Sequence, residues 1–220
     1  MRREMNEPDD HVLTATWMIA WLEAAAQSIA DHAAELGELD RAIGDGDHGE
    51  NMRRGFAAVQ NALADADESA RPADILRTTG MRLIESVGGA AGPLYGTACL
   101  RAAETIDGED RLDSDSLAAM LEAALAGIEE RGHAVPGDKT MVDAWAPAVD
   151  AARAAADAGR GVAAVLGAAA DAAEKGAAAT EALMPHKGRS SYLGERAVGY
   201  RDPGAVSTAL ILRAAVDVVA

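Results

Sequence analysis

Aromatic side chains are scarce in this sequence: one phenylalanine, three tyrosines and three tryptophans among 220 residues. The core must therefore be filled by smaller groups. Alanine, the strongest helix former, is in surplus, and small side chains let helices approach closely. Cysteine is nearly absent. The single Cys99 excludes an internal disulfide, which fits a reducing compartment. It lies in the apolar run GTACLRAA, where a thiol acts as a small buried side chain rather than a nucleophile. Basic residues are short: 20 lysines and arginines face 36 aspartates and glutamates, a net charge of −16. That balance argues against non-specific binding to nucleic acid and to anionic membranes, and solubility is the plain alternative reading of it. Long apolar runs are missing. Residues 12–22 are too short to span a bilayer and are broken by threonines, and MRREMNEPDD lacks the apolar centre of a signal peptide. A cytoplasmic protein is expected, with no nucleic acid and no membrane among its partners. Alternating β-branched runs are absent too, so no strand is expected.

What is present is helical periodicity. Residues 1–10 read as a flexible tail and 11–220 as one domain without a linker or repeat. Met18, Leu22, Ala25, Ile29, Ala33 and Leu36 form a stripe at helical spacing, predicting one long helix that stops at Gly37. Further helices are predicted over about 49–65, 72–87, 94–105, 114–131, 141–158, 162–183 and 203–219. Pro72 and Pro203 suit first turns, Ser114 is placed to cap the fifth helix, and Pro147 predicts a kink or late start in the sixth. The fold class is all-α: a bundle or barrel of eight antiparallel up-and-down helices with short connections.

Four loops interrupt this pattern, at 37–49, 88–93, 132–140 and 184–203. Successive ones are two helices apart, so an up-and-down arrangement brings all four to one end. A site at that end would be built from distant sequence. The first loop, within ELDRAIGDGDHGENMRRGF, crowds Asp40, Asp45 and Asp47 beside glycines. Close like charges repel unless a cation sits between them. Hard oxygen ligands suit Mg2+ or Ca2+. A calcium EF-hand is excluded, because counting from Asp45 its glycine position holds Glu50 and its bidentate glutamate position holds Phe56. Mg2+ held by carboxylates and completed by substrate phosphates remains, and two such ions would outweigh three carboxylates and attract a polyphosphate. Asp45 or Asp47 would equally serve as a helix cap with Asp40 solvated, and spacing alone does not choose.

The second loop, GGAAGPLYGT, lets backbone approach an anion near a helix start, although a Gly-Gly pair is also an ordinary helix stop. The third, PGDKT, reads as a plain turn. The fourth, HKGRSSYLGERAVGYRDPGA, gathers Lys187, Arg189, Arg196 and Arg201 in an otherwise acidic chain. Arginine binds phosphate in a forked geometry, and salt-bridged surface arginines are the alternative. Asp202 before Pro203 suits a helix cap.

Taken together, LDRAIGDGDHGENMRRGF, GGAAGPLYGT, PGDKTM and KGRSSYLGERAVGYRDPGA resemble the nucleotide-binding L subunits of dihydroxyacetone kinases, in order and spacing, over nearly the whole chain. The resemblance implies a barrel of eight antiparallel helices with ADP or ATP held by loops at one end. It places two Mg2+ ions on Asp40, Asp45 and Asp47. His48, Gly49, Glu50 and Asn51 would lie along the nucleotide, Ala90 and Ala91 at the second loop, and Gly132 and Met141 near the base. Arg189, Asp202, Pro203 and Gly204 would close the site, with Arg189 the catalytic charge-neutralising group. It further implies a phosphotransferase acting with a ketose-binding K subunit and a phosphohistidine donor M subunit fed by the phosphotransferase system. Alternatives within the resemblance are an ATP-exchanging ketose kinase subunit and a regulatory module whose nucleotide state a transcription regulator reads. Ala91 stands where the family usually has serine or threonine, which removes a hydroxyl that could bond a phosphate; Tyr200 stands where it has histidine and Ser190 where it has alanine, departures that fit another subfamily and another ketose such as erythrulose.

Overall fold

The computed structural model describes residues 12–66 and 69–219; the expected tail at 1–10 lies outside them. Among the described residues there are nine α-helices and no strand, only an isolated antiparallel bridge between Leu13 and Leu112. The helices are α1 (Ala15–Asp31), α2 (Ala33–Ile43), α3 (His48–Leu63), α4 (Pro72–Ser86), α5 (Ala91–Thr105), α6 (Ser114–Gly132), α7 (Val142–Asp157), α8 (Val162–Ala179) and α9 (Pro203–Asp217). None is long and apolar enough to cross a membrane.

The ninth helix comes from a break the periodicity did not reveal. The predicted first helix splits at His32, whose backbone N–H bonds to the carbonyls of Ser28 and Ala30 and ends α1. Helix α2 then runs through Gly37 to Ile43, so Gly37 does not stop it and Asp40 is helical. Other details differ as well, and the helix predicted over 162–183 ends at Ala179, with a 3-10 turn over Thr180–Ala182. Helix α5 begins at Ala91, because Pro93 falls in its first turn, where a missing N–H costs nothing. Asp113 caps α6 in place of Ser114, its carboxylate accepting from Ser116 N at 2.9 Å. Pro147 sits inside a continuous α7.

Packing partners follow the chain: α3 with α4, α4 with α5, and so on to α8 with α9. Helix α9 returns to α1, α1 also packs on α3, and α2 lies against α3 and α9. The α1–α9 seam carries two tryptophans. Trp21 Nε1 donates to the Ile211 carbonyl at 2.8 Å and Trp17 Nε1 to the Ala215 carbonyl at 3.3 Å, and the two indoles stack with centroids 5.2 Å apart. Elsewhere the scarcity of aromatics shows in the spacing. Helices α7 and α8 bury rows of alanine, and a methyl placed on Gly176 would come within 2.2 Å of the Asp143 carbonyl. Cys99 is partly buried in α5, and burial pushes its thiol up to about 12, so it stays protonated and inert.

Candidate functional site

The turn between α2 and α3 is built around Asp40. Its Oδ2 accepts from the backbone N–H groups of Asp47 at 2.8 Å and His48 at 3.1 Å, which satisfies two donors at the start of α3. Oδ1 approaches Gly44 so closely that a Cβ there would lie 2.3 Å away, and Gly46 adopts a φ of 79°. Glycine at these positions folds the turn back on Asp40. Asp45 and Asp47 are thereby carried to the same place. One carboxylate oxygen from each of Asp40, Asp45 and Asp47 lies within 4.8 Å of the others, Asp40 buried and the other two exposed. Arg189, from the 184–202 loop, forms an ion pair with Asp45.

These acids border a cavity of about 480 Å3, to which all four glycine-bearing loops contribute. That volume is in the range of small-molecule sites. Asp40, Asp45, Asp47, His48 and Asn51 line one side, and Ala90 and Ala91 at the start of α5 line another. Gly132 and Met141 flank the third loop, and Arg189 with Asp202, Pro203 and Gly204 closes the rim. Of the residues expected at the site, Gly49 and Glu50 do not border it. Gly49 is buried against α2, where a Cβ would sit 1.9 Å from the Ala33 carbonyl oxygen, and Glu50 faces outward to Arg53 at 2.7 Å. The lining is mixed. Asp40, Asp45, Asp47, Asn51, Arg131, Lys139 and Arg189 are among its polar members, and Leu94, Ile128, Met141 and Val142 among its larger apolar ones.

Behind the cavity lies a hydroxyl cluster that the sequence did not announce. Tyr95 Oη is 2.8 Å from both Ser207 Oγ and Thr208 Oγ1 and 3.0 Å from the Gly204 carbonyl. Ser207 Oγ in turn lies 2.9 Å from His48 Nε2. Helices α3, α5 and α9 are thus joined at the level of the aspartates. Burial raises the Tyr95 phenol well above its ordinary value, so it remains a donor. Burial also lowers His48, against the pull of Asp40 and Asp47, leaving a neutral imidazole at pH 7. Tyr95→Phe leaves buried hydroxyls without their central partner and is expected to cost about 2 kcal/mol, read as a lower urea midpoint with an unchanged m-value.

Asp202 caps α9, accepting from Ala205 N at 2.7 Å. Burial pushes its carboxyl up to about 7; the Ala205 N–H and Lys139 oppose the shift, and Asp143 and Asp40 add to it. Lys139 also lines the cavity, fully buried, and nothing in PGDKT marks it as more than a turn residue. The chemistry available is therefore a trio of hard oxygen donors, an arginine paired with one of them, the helix start of α5, and apolar side chains in the same lining. Such a set can hold divalent cations, an anion between them and the arginine, and an apolar group against the aliphatic side chains.

A family model described as the DAK2 domain matches residues 42–217. The chain is 41% identical over 204 residues to the ADP-binding subunit DhaL of the PEP-dependent dihydroxyacetone kinase of Escherichia coli, covering 91% of this chain and 95% of that one. It is 40% identical over 200 residues to the ADP-binding subunit DhaL of PEP-dependent dihydroxyacetone kinase 1 of Listeria innocua, covering 90% and 93%. The crystal structure of the dihydroxyacetone kinase of C. freundii superposes with a TM-score of 0.71 at 25% identity, over 93% of this chain and 35% of that longer one.

Proposed function

The chain belongs to the DAK2-domain family, and from that premise we propose that it is the ADP/ATP- and Mg2+-binding subunit of a dihydroxyacetone (or related ketose) kinase. The observation that carries this reading is the carboxylate trio of Asp40, Asp45 and Asp47 on a cavity that also takes apolar side chains into its lining. In this reading residues 11–220 form a single nucleotide-binding domain working in the cytoplasm. Its frame is a barrel of eight antiparallel helices, supported by the packing sequence that closes from α9 onto α1, with α2 an added helix beside the site.

The donor set fits magnesium: three hard oxygens, close together, on a turn braced by backbone hydrogen bonds to Asp40. Asp40, Asp45 and Asp47 would hold two Mg2+ ions, which when bound neutralise phosphate charge and align the transferred group. Arg189, freed from Asp45, would turn its guanidinium to the terminal phosphoryl oxygens and stabilise charge spread over them during transfer. The N–H groups at the start of α5, at Ala90 and Ala91, would receive remaining phosphate oxygens, with the Asn51 side chain facing them across the cavity. Met141, Leu94 and Gly132 would enclose the base. His48, held neutral by burial and engaged with Ser207, is a positioning group along the nucleotide rather than a base.

A phosphohistidine on a donor M subunit would convert bound ADP to ATP, and the γ-phosphoryl would pass to the ketose on a K subunit. The PEP-dependent kinases of which the similar DhaL chains are subunits support this route over free exchange of ATP. The test is native mass spectrometry of the protein purified gently in Mg2+. A mass excess equal to ADP plus two Mg2+, retained on dilution, is the expected result. Binding seen only after ATP and Mg2+ are added would assign the chain to an ATP-exchanging kinase, and no binding under either condition would remove the reading.

A further inference from the structure

Lys139 is a fully buried lysine whose hydrogen bonds run to main-chain carbonyls. Its backbone is left-handed, with a φ of 61°, a conformation uncommon for a long side chain. The turn around it is pinned by two acids. Asp143 accepts from Gly137 N at 2.5 Å and Thr140 N at 2.8 Å, and Asp138 Oδ2 accepts from Val135 N at 3.0 Å. So held, Lys139 directs its Nζ to the Thr180 carbonyl at 2.6 Å and the Tyr200 carbonyl at 2.5 Å.

Those two carbonyls are the two stems of one loop. Thr180 follows α8 and Tyr200 precedes α9, and between them the chain leaves and returns, carrying Gly188, Arg189 and Ser190 to the cavity. Gly199 N donates to the Glu181 carbonyl at 2.8 Å, and Asp202 N to Thr180 Oγ1 at 2.9 Å, drawing the stems together. Lys139 adds a tie to a third segment, the turn before α7. Burial lowers its affinity for a proton, while Asp202, Glu181 and Asp143 act through space to keep it charged. Carbonyl oxygens around one positive charge, with carboxylates beyond them, are an environment that a free monovalent cation would also favour.

We propose that Lys139 is a positioning residue, a tethered monovalent cation that clamps the stems of the 183–199 loop and so sets Arg189 and the 202–204 segment over the cavity. The clamp stands on the geometry alone; its effect on nucleotide rests on the function proposed above.

The experiment uses the full chain with Lys139→Ala, and with Lys139→Met as a variant that fills the space without charge. Trypsin can cut after Lys187, Arg189, Arg196 and Arg201, in the loop or at its edge. In sodium chloride without nucleotide, both variants are expected to be cut there about tenfold to a hundredfold faster than the parent, since cleavage follows the open population. Ammonium chloride at the same ionic strength should return the Ala variant to within about threefold of the parent and leave the Met variant unchanged, because only the Ala variant has room for the ion. Retention of Mg2+ and ADP should follow the same order. Thermal melts in the two salts cover a variant that folds poorly: a Tm raised by ammonium over sodium in the Ala variant, but not in the parent or the Met variant, reads the same clamp. Cleavage unchanged from the parent, or a loss that ammonium leaves untouched in every readout, overturns the proposal. A parent that retains no nucleotide would remove the nucleotide reading while the cleavage comparison still judges the clamp.

Discussion

Asp45→Asn is expected to weaken retention of ADP in Mg2+ by at least about a hundredfold while the helices remain folded. The magnitude is a lower bound: losing a group that only supports a metal ligand already costs about ten- to a hundredfold, and Asp45 would be a ligand itself. Asp45 is the right member of the trio to change. Asp40 also receives the backbone donors of Asp47 and His48, so its loss would mix metal binding with the start of α3. Asp45 is exposed, and its contact is the ion pair with Arg189. An exposed pair is worth about 1 kcal/mol or less, and relief of crowding by the other two carboxylates works against that loss. The melting midpoint in EDTA should therefore move by no more than about 4 °C. Isothermal titration with ADP at fixed Mg2+, beside circular dichroism, decides the matter. An affinity within threefold of the parent would take the metal away from Asp45.

Gly49→Ala should produce the largest loss of stability available from adding one methyl group. Glycine inside a helix is normally worse than alanine by about 1 kcal/mol, so propensity alone favours the change. At Gly49 sterics win. The new Cβ would lie 1.9 Å from the Ala33 carbonyl oxygen and 2.9 Å from both the Ala33 carbonyl carbon and Gly37 N, all backbone atoms that no rotamer change can move. Helices α2 and α3 would have to separate, at about 3 kcal/mol or more, which lowers Tm by roughly 6–12 °C in a chain of this size. Gly167→Ala is the control. It lies within α8 with nothing inside 4 Å of its added Cβ, so it should keep or raise Tm. Equal melting temperatures for the parent and Gly49→Ala would mean that α2 is not seated on α3 as described.

The same contact explains what the sequence reading missed. Gly37 looked like a helix stop because glycine so often follows a last turn. In the fold it lies inside α2, and Gly49 is seated on the backbone of that helix at Ala33 and Gly37; a close approach of two helices leaves no mark in either helix's own periodicity. The true break, at His32, carries neither glycine nor proline, so the stripe from Met18 to Leu36 read as continuous. The long periodic helices were legible because each buries one face: α6 through Leu117, Met120, Leu121 and Ile128 is the clearest case. The acid trio was legible from three aspartates in eight positions, and four loops two helices apart were legible as one cavity. Lys139 and the Tyr95–Ser207–Thr208 cluster were not. Their meaning lies in partners 41 to 113 residues away, which only the packed chain supplies.

The stacked tryptophans between α1 and α9 give the molecule an optical clock. Trp17 and Trp21 reach across to carbonyls 198 and 190 residues later, and they make up two of the three indoles in the chain. Their emission in a refolding experiment reports when the first helix of the fold meets the last. Pairing so distant in sequence carries a high loop-closure cost, so the signal should lag the far-ultraviolet signal of helix formation. The cavity borrows walls from α3 and α9, on either side of that join. The competence to take up a ligand should then arise with the late fluorescence phase, in step with the indoles and after the helices themselves.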